Sequence, residues 1–348
     1  MAYTTINKSS DHFITHLYSG NDSTNNQTSL GMTPDLVWVK CRNNATPSHY
    51  WVDKVRGDKK YISSNATTAE QTDSNTFDLV SGGFNLAGSN GWTNVSGRNY
   101  ASWNWKAGAG AGSSNTDGTT SSTVSANTTS GFSIVQHSGS GGATTIGHGL
   151  GVAPKIVLSK RTSGTNSWFF QQNIIGGSWT SSNYLILNTT AAAASSSSIV
   201  NNVSSSTISF AGADDWVNAS GSTYIHYVFA EKKGFSKFGK YNGNGSADGT
   251  FVYTGFKPAW IMLKDTNSGS AGWMMFDNKR LGYNVDNNAL YPNATAAEGT
   301  GDDVDLLSNG FKARSTDAGI NTSGNSYIYL AFAAAPFVGT NNIPANAR

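Results

Sequence analysis

The stretch Asn321-Thr-Ser-Gly-Asn-Ser-Tyr-Ile-Tyr-Leu-Ala-Phe332 decides the fold, because a polar turn runs straight into a strand of aromatic and apolar residues. The pattern occurs three times: Asn94, Ser96, Gly97, Tyr100; Asn218, Ser220, Gly221, Tyr224; Asn321, Ser323, Gly324, Tyr327. Self-similarity at a fixed period marks a repeat architecture, in which each repeat is one structural unit. Each turn also has a matching start. Gly31-Met-Thr-Pro34-Asp-Leu-Val-Trp-Val-Lys40 lines up with Gly151-Val-Ala-Pro154-Lys-Ile-Val-Leu-Ser-Lys160 and with Gly255-Phe-Lys-Pro258-Ala-Trp-Ile-Met-Leu-Lys264. Pro34 to Tyr100, Pro154 to Tyr224 and Pro258 to Tyr327 are 66, 70 and 69 residues apart, so three related copies fill the chain.

A strand precedes each proline motif: His12-Phe-Ile-Thr-His-Leu-Tyr18, Phe132-Ser-Ile-Val-Gln-His-Ser138 and Phe235-Ser-Lys-Phe-Gly-Lys-Tyr241. The expected units are therefore 1–106, 131–231 and 235–337, with a tail over 338–348. Residues 107–130 open with Ala107-Gly-Ala-Gly-Ala-Gly and continue in Ser, Thr, Asn and Asp. With little to bury, this stretch reads as a flexible linker or loosely ordered loop. The second and third copies meet around Lys232-Lys-Gly234, which predicts rigid packing between them.

Composition agrees with strands. The 348 residues carry 13% charged and 11% aromatic side chains, with Gly, Ser, Thr and Asn abundant. Aromatic and β-branched residues fit a pleated surface, and Asn, Gly and Ser supply turn geometry. Leu36-Val-Trp-Val39 and Trp260-Ile-Met-Leu263 are unbroken apolar runs, as expected of strands covered on both faces. The sequence predicts an all-β protein of three tandem β-sandwich modules, jelly-roll or concanavalin A-like. One helical signal stands out. Thr67-Thr-Ala-Glu70 and Thr295-Ala-Ala-Glu298 each have the spacing of a capping box and predict a single helical turn.

A net charge of +2 argues against nucleic acid or an anionic membrane as partner, since either calls for a concentrated basic face. No apolar run approaches the roughly 20 residues of a membrane helix, and no signal-peptide pattern opens the chain. Cys41 is the single cysteine, so packing and oligomerisation must hold the fold without an internal disulfide.

Chemistry-bearing residues are few. Asp53 with Arg56 and Asp277 with Arg280 recur at a spacing of three, with Glu70 and Glu298 downstream. Two carboxylates about 5–10 Å apart are what glycosidic cleavage needs. The alternative, an ion pair in a turn with a capping glutamate, accounts for the repetition better, and the second copy has Gln172, Gly176 and Ala193 in these places. Asp302, Asp303 and Asp305 form an acidic cluster that lacks the full calcium-loop pattern. The six histidines show no zinc spacing, no cofactor is implied, and nothing marks a nucleophile elbow. Asn94, Asn218 and Asn321 match the N-glycosylation acceptor, yet turn chemistry explains them better, with Asn and Ser bonding backbone and Gly accepting positive φ. Trp92 and Trp216 lie two residues before Asn94 and Asn218, whereas the third copy has Gly319 there. An indole beside an amide is a candidate sugar platform, so Trp92, Asn94, Trp216 and Asn218 are the candidate ligand-binding residues; packing at the sandwich edge is the competing reading.

The recurring glycine–proline–lysine start, the Asp-x-x-Arg and Asn-x-Thr-x-Ala-Glu elements and the closing Asn-x-Ser-Gly-x-x-Tyr turn together resemble repeated modules of virion proteins from tailed bacteriophages, especially of marine bacteria. Ala333-Ala-Ala-Pro-Phe337 and Ile343-Pro-Ala-Asn-Ala-Arg348 are similar too. The resemblance implies a place on the virion exterior, tail or capsid surface, among other virion proteins and as a homo-oligomer. It transfers no catalytic residue. The expectation is a tail-fibre or spike component that binds host glycans, with capsid decoration or a head/tail structural role as the alternative and a polysaccharide depolymerase behind both.

Overall fold

Leu36–Cys41 is buried at all six positions and Ile156–Arg161 at the first five, so these runs have no solvent face. In the computed structural model, which describes residues 4–336 and 338 apart from 74–75, 109, 180–182, 198, 281–283, 285–287 and 302–303, the protein is all-β with multiple antiparallel sheets. The one helical piece among the described residues is the three-residue 3-10 turn Ser9–Asp11.

In each copy the strand that follows the proline motif lies between the strand after the Asn-Ser-Gly turn and a short strand rich in aromatics or methionine. The first sheet runs Phe13–Ser19, Asn99–Trp105, Leu36–Cys41, Tyr50–Asp53. The same order recurs with Phe132–Ser138, Thr223–Phe229, Ile156–Arg161, Phe169–Gln172 and with Ser236–Asn242, Ser326–Pro336, Phe256–Asp265, Met274–Asp277. Register recurs as well: Cys41 faces Tyr100, Arg161 faces Tyr224, and Asp265 faces Tyr327. A three-stranded sheet accompanies each, in the order Asn25–Gln27, Gly83–Ala87, Thr76–Val80 and its two equivalents.

The two faces of the larger sheets bury different things. Strand residues alternate between faces, so Val37, Val39, Tyr50 and Val52 point one way and pack on Phe77, Phe84 and Leu86 of the smaller sheet. Leu36, Trp38, Trp51 and Trp103 point the other way, into a cluster shared with Leu158, Phe170 and Tyr227 of the second copy and Trp260, Met262 and Phe332 of the third. Trp51 lies 5.1 Å from both Trp168 and Tyr227, Phe170 is 5.0 Å from Trp273, and Trp105 meets Trp260 edge-on at 5.8 Å. A void of about 20 Å³ lies among these side chains.

The joints between copies repeat in a closed cycle. Trp168 Nε1–H donates to the Ser63 carbonyl at 2.7 Å, Trp273 Nε1–H to the Ile186 carbonyl at 3.1 Å, and His49 Nε2 pairs with the Tyr291 carbonyl at 2.9 Å. The backbone N–H groups of Glu70, Ala193 and Glu298 donate to the carbonyls of Thr162, Thr266 and Arg42. The second copy thus docks on the first, the third on the second, and the first on the third. A heterologous contact whose rotation closes makes a ring. Here one chain supplies all three members.

Two expectations change. Residues 107–130 are not only loop: Ser113–Asn115 pairs with Ser122–Asn127, which pairs with Phe132–Ser138. The free edge of the second copy's opening strand recruits this segment, burying Ser122, Val124 and Ser125. Residues 67–70 and 295–298 form no helical turn. Their backbone groups serve the joints instead, Thr67 accepting from Asn166 N–H and Lys160, and the glutamate side chains turn to arginine.

Candidate functional site

The repeated Asn-x-Ser-Gly turn places a side-chain amide under three loop segments. Asn218 Nδ2 donates to the carbonyls of Gly142 (2.6 Å) and Gly212 (3.1 Å), and its Oδ1 accepts from Ser140 N–H at 2.9 Å. Asn94 does the same with Ser23, Gly88 and Asn21, and Asn321 with Ser246, Ser315 and Asn244. The turn glycines Gly97, Gly221 and Gly324 have φ of 76°, 72° and 81°. The hydroxyls of Tyr100, Tyr224 and Tyr327 accept from the N–H that follows each asparagine. All three asparagines are 0% exposed.

Asn94 and Asn218, the ligand-binding candidates of the sequence, are buried with their amide nitrogens bonded to backbone carbonyls. The same geometry keeps them from meeting a glycosylating enzyme in the folded chain. Trp92 and Trp216 are half-buried. Trp92 packs edge-on against Tyr61 at 4.9 Å and near Tyr50 at 6.0 Å, while Trp216 stacks on Phe169 at 4.4 Å beside Tyr184. Each indole packs against aromatic residues at the open end of its own sheet pair. We expect Asn218→Ala to lower the unfolding free energy by roughly 2–3 kcal/mol, since it strands buried carbonyls. The urea midpoint reads this directly.

The paired carboxylates are structural. Asp53 Oδ2 takes Arg56 Nε–H at 2.5 Å and the Tyr227 hydroxyl of the second copy at 2.7 Å. Asp277 Oδ2 takes Arg280 Nε–H at 2.7 Å and Trp103 Nε1–H of the first copy at 3.1 Å. Glu70 and Glu298 reach the same arginines at 3.5 and 3.2 Å, and Glu298 also pairs with Arg42 at 3.0 Å across the joint. In the second copy Gln172 Oε1 accepts from Ile174 and Ile175 N–H, so Ile175, rather than Gly176, stands at the arginine position. Asp53 and Asp277 are each held by a guanidinium and a neighbouring copy, with no room for a glycosidic oxygen.

The structure assembles two polar groups that the sequence did not advertise. Ser159 Oγ lies 2.7 Å from His226 Nδ1, whose Nε2 lies 3.0 Å from His137 Nδ1. Ser159 and His226 are 0% exposed. Lys40, Lys160 and Lys264 share one repeat position and are buried, their ammonium groups donating to backbone carbonyls. Burial lowers them, Lys160 to about 7 and the other two to about 8. The recurring lysine that ends each proline motif was the signal for this position.

Asp302 and Asp303 lie outside the described residues. Asp305 is 3.4 Å from Arg314 Nε, and no cluster of three metal-ligating side chains occurs among the described residues. No helix of the described residues is long and apolar enough to cross a membrane.

The third copy departs from the other two at its loop end. The residue registered opposite Val39 and Ser159 is Tyr50 and Phe169, but opposite Leu263 it is Met274. Ala289 replaces Tyr61 and Tyr184, and Gly319 replaces Trp92 and Trp216. An open cavity of about 250 Å³ lies beside Met274 and Gly319.

Fold and site together define an all-β chain of three interlocked copies, two closed by aromatic residues and one open. The chain belongs to the family described as Domain of unknown function (DUF7483), whose model matches residues 8–336. No curated protein and no solved structure matches it.

Proposed function

We propose that this protein is a structural component of a tailed-bacteriophage virion, in a tail fibre or spike, that contacts host-surface glycans. Each pair of sheets is, in this reading, one jelly-roll or concanavalin A-like β-sandwich module. The observation that carries the proposal is the closed cycle of joints, which turns three weakly charged repeats into one body with a repeated loop end. Such a body suits a particle part that must stay folded outside the cell and meet neutral sugars, which are recognised by hydrogen bonds and apolar ring faces rather than net charge. The resemblance of the repeats to virion modules supports the location, on the virion exterior beside other virion proteins and in a homo-oligomer. The pairing of Asp53 and Asp277 with arginine counts against a depolymerase. A second reading, capsid decoration, is favoured by the threefold recurrence itself, because such a body matches a local threefold position on a shell.

Immunogold electron microscopy of intact particles with antibody to this chain tests the proposal. Label confined to the tail is the expected result. Label over the head selects decoration, and particles without label overturn the virion assignment.

A further inference from the structure

In the first two copies an indole fills the loop end of the sheet pair, held by Tyr50 and Tyr61 or by Phe169 and Tyr184. In the third copy all three aromatic positions are gone, replaced by Met274, Ala289 and Gly319. A Cβ at Gly319 would come 2.3 Å from Met274 Sδ, so glycine lets the methionine lean inward and form the floor. The remaining space, about 250 Å³, is bounded by Ser270, Ala271, Met274, Tyr291 and Asp317. Its size falls below the roughly 300–1,000 Å³ of sites for drug-sized ligands, which suits a single ring.

The molecule thus carries this loop-end position twice with an indole packed on aromatic rings and once with glycine beside an open cavity. The open site differs in chemistry: methionine and alanine offer an apolar floor, while Ser270 and Asp317 are exposed at the rim and Tyr291 is half-buried beside them. Asp317 Oδ1 accepts the Gly319 N–H at 2.7 Å. Its other carboxylate oxygen can take a hydroxyl. A ring with one C–H face and a hydroxyl edge meets both requirements, and a purely aromatic ring meets only the first.

We propose that the third-copy cavity beside Met274 and Gly319 binds one pyranose ring of a glycan, with its C–H face on Met274 and its hydroxyls at Asp317 and Ser270. This rests on the glycan-contact reading above and names the site and the ligand class. The first and second copies bind none, because Trp92 and Trp216 stand at the position that Gly319 leaves without a side chain.

The test uses the full chain with methyl-13C methionine. It has five methionines, so Met274 is assigned by its loss in Met274→Leu. The probes are the methyl glycosides of glucose, galactose, mannose, N-acetylglucosamine and rhamnose. The expected result is a saturable shift of the Met274 methyl with at least one of them, at a Kd on the order of 1 mM, about −4 kcal/mol, while the Met262 methyl stays fixed. The variant Met274→Phe/Ala289→Tyr/Gly319→Trp fills the cavity as the other copies do, and Ala318→Trp blocks its mouth from an exposed position; both lose saturation transfer to the sugar. No Met274 shift with any probe, or sugar binding that survives both variants, overturns the proposal. The two readings separate cleanly. Host-cell binding retained in both variants leaves adhesion standing and removes this cavity from it, whereas a Met274 shift without any cell binding keeps the pyranose site and removes the adhesin.

Discussion

Arg56→Ile lowers the unfolding free energy by about 3–5 kcal/mol, because it leaves the Asp53 carboxylate buried without its cation. Asp53 and Arg56 side chains are both 0% exposed, and Arg56 also donates to the Trp51 carbonyl at 3.0 Å. The loss is not confined to one copy, since Asp53 accepts the Tyr227 hydroxyl across the joint. The double variant Asp53→Gln/Arg56→Ile copies what the second repeat does with Gln172 and Ile175. It recovers to within about 2 kcal/mol of wild type, because a neutral amide is left where an uncompensated charge stood. Guanidinium unfolding of the three proteins checks both statements. A double variant as unstable as the single one contradicts the account.

Acid removes stability over a defined window. His49, His137, His148 and His226 are buried, and burial lowers each below its ordinary value, His137 to about 4. His49 Nδ1 accepts Trp38 Nε1–H at 2.7 Å, so the neutral ring donates from Nε2 to the Tyr291 carbonyl of the third copy, and a second proton has no place. The unfolded chain takes protons on these rings near pH 6.5 while the folded chain does not. Unfolding therefore takes up protons below that pH, and stability present at pH 7 is lost as pH falls from about 6.5 towards 4. His137 and His226, whose ring nitrogens lie 3.0 Å apart, lose stability together across that range. Denaturant midpoints between pH 7 and pH 4 read the slope, and His137→Phe flattens it. A midpoint that does not move over this range contradicts the burial of these rings as neutral species.

The fold was legible in the sequence where a local rule is strict. Continuous apolar runs in Leu36–Cys41 and Phe256–Asp265 required cover on both faces, and both faces are covered. The three turn glycines required positive φ and have it. What covers the second face was not legible, because Trp38, Trp168 and Trp260 carry no label saying that their neighbours come from other copies. The capping boxes misled for the same reason: Glu70 and Glu298 answer arginines and a neighbouring strand end rather than a helix start. Spacing alone also could not tell a platform tryptophan from a packed one. Trp92 and Trp216 needed Tyr61 and Phe169 in space, and the informative residue proved to be the missing one, Gly319.

The closed cycle of joints is the claim on which the rest depends, and differential scanning calorimetry of the full chain tests it most directly. If each copy docks on the next as Trp168, Trp273 and His49 do, the chain unfolds in one transition whose calorimetric and van't Hoff enthalpies agree, and Trp168→Ala moves that whole transition down. Two or three separable transitions, with Trp168→Ala lowering only one of them, would show the copies folding as independent units and would contradict it.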